Sequence, residues 1–154
     1  MAPNLLYHFT ECGLDDVYLI NGVERQETAQ GPVVKVDDLD GLLAAIKEHL
    51  VYRKRPLNGR EIRFLRHELD LSQRALAMLL GVDEQTVARW EKGKTRIDGS
   101  AERMIRIMCA EQIGPRGNVR AFLEDLAGLD DAVAAAVHMR ETDVGWQPVR
   151  TAAA

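Results

Sequence analysis

Three helix-start signals in the middle of the chain restrict its fold more than any other feature. Asn58, Ser72 and Asp83 are residue types that cap helix N-termini well. Each cap is flanked by two apolar residues at the spacing of a hydrophobic staple, and Glu61 completes a capping box with Asn58. The staple pairs are Leu57 with Ile62, Leu71 with Leu76, and Val82 with Val87. Three short helices in close succession are therefore predicted.

More helices and a strand are predicted toward the C-terminus. Ser100 to Gln112 forms a fourth helix, and Asn118 caps a fifth. Their apolar faces are Met104, Ile105 and Met108 in the fourth, and Val119, Phe122, Leu123 and Leu126 in the fifth. Asp131 to Val137 is ambiguous, whereas residues 137–140 alternate as a strand does and turn at Asp143–Gly145 toward Trp146 and Val149. Thr151 to Ala154 is expected to fray.

The N-terminal part has the character of a small β module. Residues 5–10, 17–20 and 33–36 are predicted strands, and the polar stretch 24–30 is assigned none. A helix from Asp40 to about Val51 and a linker follow, since Pro56 disfavours helix at Arg55. The chain is therefore expected to be α+β. It comprises an N-terminal antiparallel β module with a helix at 1–51, a helical domain at 52–113, and a C-terminal helix and strand extension at 114–154.

Charge is distributed unevenly along the 154 residues, whose net charge is −4. Residues 52–96 hold eleven basic and six acidic residues, and the remainder holds nine basic and eighteen acidic ones. This asymmetry either turns one segment toward an anionic partner or is a fluctuation of surface charge. No apolar run is long enough to span a bilayer, and the first residues lack a secretory signal pattern. With two distant cysteines, Cys12 and Cys109, a reduced cytoplasmic protein without membrane contact is expected.

The segment Gln73–Trp90 has the pattern of two helices that meet at a sharp angle. Ala77 is small where the next helix crosses, and Gly81 suits a left-handed helix end. Apolar residues wedge the helices together, and Trp90 belongs to this core. The polar remainder of the helix after Asp83 is then free to enter a DNA major groove.

These residues closely resemble the helix-turn-helix of the XRE/Cro repressor family. The resemblance covers about residues 57–98 and rests on Leu71-Ser-Gln, Leu76-Ala, Leu80-Gly-Val and Trp90-Glu-Lys-Gly. It implies that Gln85, Thr86 and Arg89 read base edges, for which their side chains have suitable chemistry. It implies phosphate contacts for Gln73, Arg74, Lys92, Lys94 and Arg96. It further implies that Glu91 forms a structural ion pair with Arg66.

The basic run Arg53-Lys54-Arg55 is either a phosphate-contacting arm or a solvated linker. The order of modules is similar to that of MqsA-type antitoxins, whose N-terminal module often holds zinc through cysteines and can bind a toxin. Here only Cys12 remains, with His8 before it, so a structural histidine and a buried thiol are expected in place of a metal site.

These observations favour a sequence-specific double-stranded DNA-binding transcriptional regulator. A homodimer on a palindromic operator, repressing its own operon, is expected, with residues 118–127 and the following strand as a possible dimer interface. The alternative is an antitoxin of a type II toxin–antitoxin system whose N-terminal module binds a toxin. The sequence has no phosphate loop, nucleophile elbow or metal-ligand cluster, so neither an enzyme nor a cofactor is expected.

Overall fold

The computed structural model describes residues 6–53, 55–114, 116–127 and 136–149. Within them the chain forms strands and helices in mixed order, as the predicted α+β class requires. The strands are β1 (Tyr7–His8), β2 (Val17–Leu19), β3 (Val23–Thr28), β4 (Gly31–Val36), β5 (Val137–Thr142) and β6 (Gly145–Val149). The helices are α1 (Leu39–Tyr52), α2 (Gly59–Glu68), α3 (Gln73–Leu80), α4 (Glu84–Glu91), α5 (Gly99–Ile113) and α6 (Val119–Ala127). None of the helices in this part of the chain combines the length and apolar character needed to cross a membrane.

The chain divides into two compact units. One consists of Met1–Ile46 together with Ala135–Ala154, and the other is Lys47–Ala134. This division differs from the expected boundaries at residues 51 and 113, because the C-terminal strands pair with an N-terminal one. The ambiguous segment Asp131 to Val137 lies largely outside the described residues, as does Thr151 to Ala154.

The first unit contains a four-stranded sheet in the order β1-β2-β5-β6. β1 and β2 pair antiparallel, as do β5 and β6, whereas β2 and β5 are parallel, with Val17 opposite Val137. The N-terminal strands pair antiparallel with one another as predicted, and the sheet is mixed because the C-terminal strand β5 joins β2 in parallel, which was not predicted. Leu19 and Met139, neighbours across β2 and β5, are buried on one face. The strand predicted at residues 137–140 and the turn predicted at Asp143–Gly145 are confirmed, and β6 after the turn makes them a hairpin.

β3 and β4 form a separate antiparallel hairpin of two strands. The sequence prediction for residues 33–36 is confirmed, but β3 occupies most of the stretch that was assigned no strand. The reason is exposure: nearly all side chains of β3 face solvent, so the strand carries no apolar alternation.

Both hairpins, β3–β4 and β5–β6, close with the same Thr-x-x-Gly chemistry. The Thr28 hydroxyl donates to the Gly31 carbonyl at 2.7 Å, and the Thr142 hydroxyl donates to the Gly145 carbonyl at 2.8 Å. Each hydroxyl also accepts from the second residue of its two-residue connection.

The helix starts of the second unit largely follow the predictions. Asn58 accepts from the Glu61 N–H and Glu61 accepts from the Asn58 N–H, which confirms the capping box. Ser72 and Asn118 also cap as predicted. Asp83 is the N-cap residue of α4 as predicted, but its side chain makes no capping hydrogen bond to the backbone. The α5 helix begins one residue earlier than expected and is capped by Asp98.

The predicted apolar faces of α5 and α6 are only partly buried. Ile105 and Leu126 are buried, but Met104 and Val119 are exposed and lie outside the core.

Arg106 ties the end of α1 and the linker to α5. Its guanidinium is fully buried and is bound by the Glu102 carboxylate at 2.9 Å. It donates to four backbone carbonyls, those of Leu50, Val51, Arg53 and Arg55. The carbonyls left unpaired at a helix C-terminus are thus satisfied by a side chain. Burial lowers the pKa of Arg106, and the adjacent Glu102 opposes this shift.

Candidate nucleic-acid interface

The turn between α3 and α4 is tight because Gly81 adopts a left-handed conformation. Its φ is 72°, and its N–H donates to the Ala77 carbonyl. Leu76 and Val87 are fully buried where the two helices meet, and Trp90 is buried as predicted. One side of α4 is thereby held inside the unit, and its other side is turned outward.

The outward side of α4 presents Gln85 and Arg89, both exposed. Thr86 is only half-buried, and its hydroxyl donates to Asp83 Oδ1 at 3.3 Å. Because the hydroxyl already donates to Asp83, the methyl group of Thr86 is the part of the side chain suited to an apolar base contact. Gln85 and Arg89, four positions apart, lie on the same face of the helix.

A buried ion pair fastens α4 to α2. Arg66 Nε donates to Glu91 Oε2 at 2.7 Å and Arg66 Nη2 donates to Glu91 Oε1 at 2.9 Å. The Arg66 side chain is 9% exposed and the Glu91 side chain 4%. Arg66 Nη1 also donates to the Leu71 carbonyl at 2.9 Å, so one guanidinium joins α2, the turn before α3 and the end of α4.

Gln73 is drawn into the same network, which the sequence did not indicate. Its Nε2 donates to Glu91 Oε1 at 3.3 Å, and its side chain is half-buried. At the next position Arg74 is exposed, and Ser72 already satisfies the N–H of Ala75. The first turn of α3 therefore offers the backbone N–H groups of Gln73 and Arg74, together with the Arg74 guanidinium.

Three exposed cations follow the end of α4: Lys92, Lys94 and Arg96. Gly93 between them has a φ of 71°, which turns the chain sharply after the helix.

Gly59 allows the close approach of α2 to the end of α4. A Cβ at Gly59 would lie 2.5 Å from the Trp90 carbonyl oxygen and 2.6 Å from that of Glu91. Sequence reasoning missed this residue, because a glycine at the first helical position looks unremarkable without the neighbouring helix.

The basic run before α2 is not a free arm at Arg53 and Arg55. Both guanidinium groups pair with Glu61 Oε2, at 2.7 Å and 3.1 Å, and Glu61 is buried. Neither a phosphate arm nor a solvated linker describes these two side chains; they belong to an internal ionic cluster. Lys54 lies outside the described residues.

The side chains of His8 and Cys12 in the N-terminal part both interact with other groups of the protein. His8 Nε2 is 2.7 Å from the Asp15 carbonyl oxygen, and its ring stacks on Tyr18 with the centroids 4.6 Å apart. Burial raises the pKa of the Cys12 thiol. The described ranges contain no group of three or more candidate metal ligands.

Residues 62–101 match a family model described as "Helix-turn-helix". The match runs from α2 through α4 into the start of α5, and it is the region of the XRE-type resemblance. No curated protein and no solved structure matches the chain in the corresponding searches. The likeness to MqsA-type antitoxins therefore stays a prediction.

Proposed function

From the XRE-type helix-turn-helix at residues 62–101, we propose that the protein is a sequence-specific double-stranded DNA-binding transcriptional regulator. The observation that carries the proposal is the exposed face of α4, held outward by the buried wedge and the Arg66–Glu91 pair. In this proposal α4 enters the major groove, whose edges distinguish all four base pairs.

Gln85, Arg89 and Thr86 are proposed to select the sequence. Gln85 suits a bidentate contact with adenine and Arg89 a bidentate contact with guanine. Thr86 contributes its methyl group to a thymine methyl, since its hydroxyl is occupied by Asp83.

The remaining cations are proposed to set the register on the duplex without reading it. Arg74, Lys92, Lys94 and Arg96 are all exposed and suit phosphate oxygens. Gln73 takes part through its backbone N–H at the start of α3, where the helix dipole favours an anion. Its side-chain amide stays on Glu91.

Selection of bound duplexes from a random pool, followed by titration of the selected site, tests this proposal. Arg89→Ala should weaken binding to the selected site by about 1–3 kcal/mol and relax the preference at one base pair. Lys94→Ala should weaken binding to all sequences alike and reduce the slope against log salt by about 1.

Lys35→Ala is the matched control, because Lys35 is exposed on β4 and lies outside both the proposed DNA interface and the expected dimer interface at residues 118–127. Uniform loss of affinity in both test variants, with base preferences unchanged, would show that the reading residues are wrongly assigned.

A homodimer is proposed because one helix-turn-helix reads few base pairs and two copies read a palindrome. Binding over its own promoter would then make the protein an autorepressor by occlusion. The antitoxin alternative stays a prediction, and co-purification of a small basic protein with the N-terminal module would support it.

A further inference from the structure

Among the described residues, no strand pairs with the outer edge of β3 in the hairpin β3–β4. The Asp37 N–H donates to the Gly22 carbonyl at 2.8 Å, which fixes the phase of the hydrogen-bonded pairs along the hairpin. With Gly22 and Asp37 bonded to each other, the next pair inward, Val23 and Val36, points its backbone groups away from the partner strand. In β3 the N–H and C=O groups that point outward are therefore those of Val23, Arg25 and Glu27.

The other sheet edges in the described part of the chain are protected. By the same phase, Pro32 lies opposite Glu27 with its nitrogen at the outer edge of β4, where it has no N–H to offer. In the second hairpin, the Met139 carbonyl accepts from the Ile20 N–H, so Met139 bonds toward β2. Pro148, opposite Met139, then faces the outer edge of β6. β1 is only two residues long. Proline and short length are the usual means of blocking an exposed edge.

We propose that β3 pairs with β3 of a second copy of this chain, antiparallel and centred on Gln26. In this register Arg25 lies opposite Glu27 of the second copy, and the two-fold axis repeats that pair. Both residues have outward-pointing backbone groups, so they form the hydrogen-bonded pairs that the geometry requires. The result is a four-stranded sheet made from two hairpins.

The charged side chains of β3 favour pairing with a second copy of this chain, and they favour the register centred on Gln26. Arg25 and Glu27 are exposed and have no ion-pair partner among the described residues. Centring the pairing on Arg25 would oppose two arginines, and centring it on Glu27 would oppose two glutamates. Like charges directly opposite each other destabilise a sheet, whereas opposite charges stabilise it. Among these registers, the one centred on Gln26 is self-complementary.

Pairing should make each hairpin considerably more stable, because a lone two-stranded hairpin is only marginally stable in water. The interface is small, so a dimer of about micromolar affinity is expected rather than an obligate one. The inference rests on the proposed function only for the expectation of a dimer, and it does not depend on what α4 contacts.

Charge reversal with the full chain tests the pairing. Arg25→Glu alone and Glu27→Arg alone should each weaken self-association by about tenfold or more in sedimentation velocity, since each turns both symmetric pairs into like charges. An equimolar mixture of the two variants should associate, because the acidic pair of side chains on one variant then faces the basic pair on the other. The doubly reversed chain, R25E/E27R, should self-associate like the unmodified protein.

Asp143→Arg, a charge reversal in the turn between β5 and β6, is the control and should leave association unchanged. Two results overturn the proposal: a chain that is monomeric at tens of micromolar, or single variants that remain as dimeric as the parent. A monomeric chain would mean that the β3 edge is available to a strand of another protein instead. Single variants that stay dimeric would mean that the dimer interface lies elsewhere. Base-selective binding of DNA by a monomeric variant would leave the proposed function standing in either case.

Discussion

The Arg66–Glu91 pair allows a sharp test of what fastens α4 to α2. Arg66→Met keeps much of the side-chain volume and removes both charged hydrogen bonds to Glu91. Of its hydrogen bonds to described residues, the Glu91 carboxylate, 4% exposed, then keeps the 3.3 Å contact from Gln73. Breaking one side of a buried pair costs about 3–5 kcal/mol, since the remaining charge has lost its partner in a poorly solvated place.

Urea unfolding and thermal unfolding measure this cost. A loss of about 3 kcal/mol corresponds to a fall in Tm of roughly 6–12 °C for a chain of this size. The double variant R66M/E91M should recover most of the stability, because replacing both partners by apolar residues is often neutral. Arg120→Met, which removes an exposed pair with Glu124, should cost at most about 0.5 kcal/mol. A loss below about 1 kcal/mol in Arg66→Met, or a double variant as unstable as the sum of the two single variants, would refute the reasoning.

Two further changes probe other parts of the second unit. Gly59→Ala should destabilise it by about 1–3 kcal/mol, because the new Cβ meets backbone oxygens of Trp90 and Glu91. Gly99→Ala is its control: this helix-start glycine has open space around it, and the change should be neutral or slightly stabilising in the same thermal unfolding assay. Burial lowers the pKa of His49 to about 4, so the unfolded chain binds more protons between pH 4 and 6.5. Stability should therefore fall as the pH drops through this window, and urea titrations should show His49→Gln losing that part of the pH dependence; an unchanged profile would contradict it.

The helices were predictable because their signals are local. Asn58 with Glu61, Ser72 and Asn118 each act within one helical turn, so a short stretch of sequence contains the whole interaction. Asp83 lies at the predicted N-cap position, but the predicted capping bond is absent because its carboxylate binds the Thr86 hydroxyl rather than the backbone. Residue type alone does not distinguish between these two partners.

The long-range features could not be predicted from the sequence. The parallel pairing of β2 with β5 joins distant segments, and neither strand carries a mark of its partner. Arg106 was missed for a similar reason, although a clue existed. Glu102 and Arg106 are spaced as one helix face with the buried Ile105 and Cys109, and charged residues at such positions imply an internal ion pair.

Prediction of the candidate site was uneven. The placement of Gln85 and Arg89 on an exposed face follows from the apolar spacing of α4 and needs no long-range knowledge. The internal engagement of Gln73 with Glu91 and of Arg53 and Arg55 with Glu61 depends on which elements pack together, and only the fold contains that information.

The division of the chain into one continuous and one split unit has a consequence for biosynthesis. The second unit, Lys47–Ala134, is translated in full before the ribosome reaches β5, and its helices pack on one another. The first unit waits for β5 and β6, because β2 has no parallel partner until they emerge. We therefore expect the segment translated first to finish folding last, with α4 packed against its neighbouring helices while the amino-terminal sheet still lacks two of its four strands.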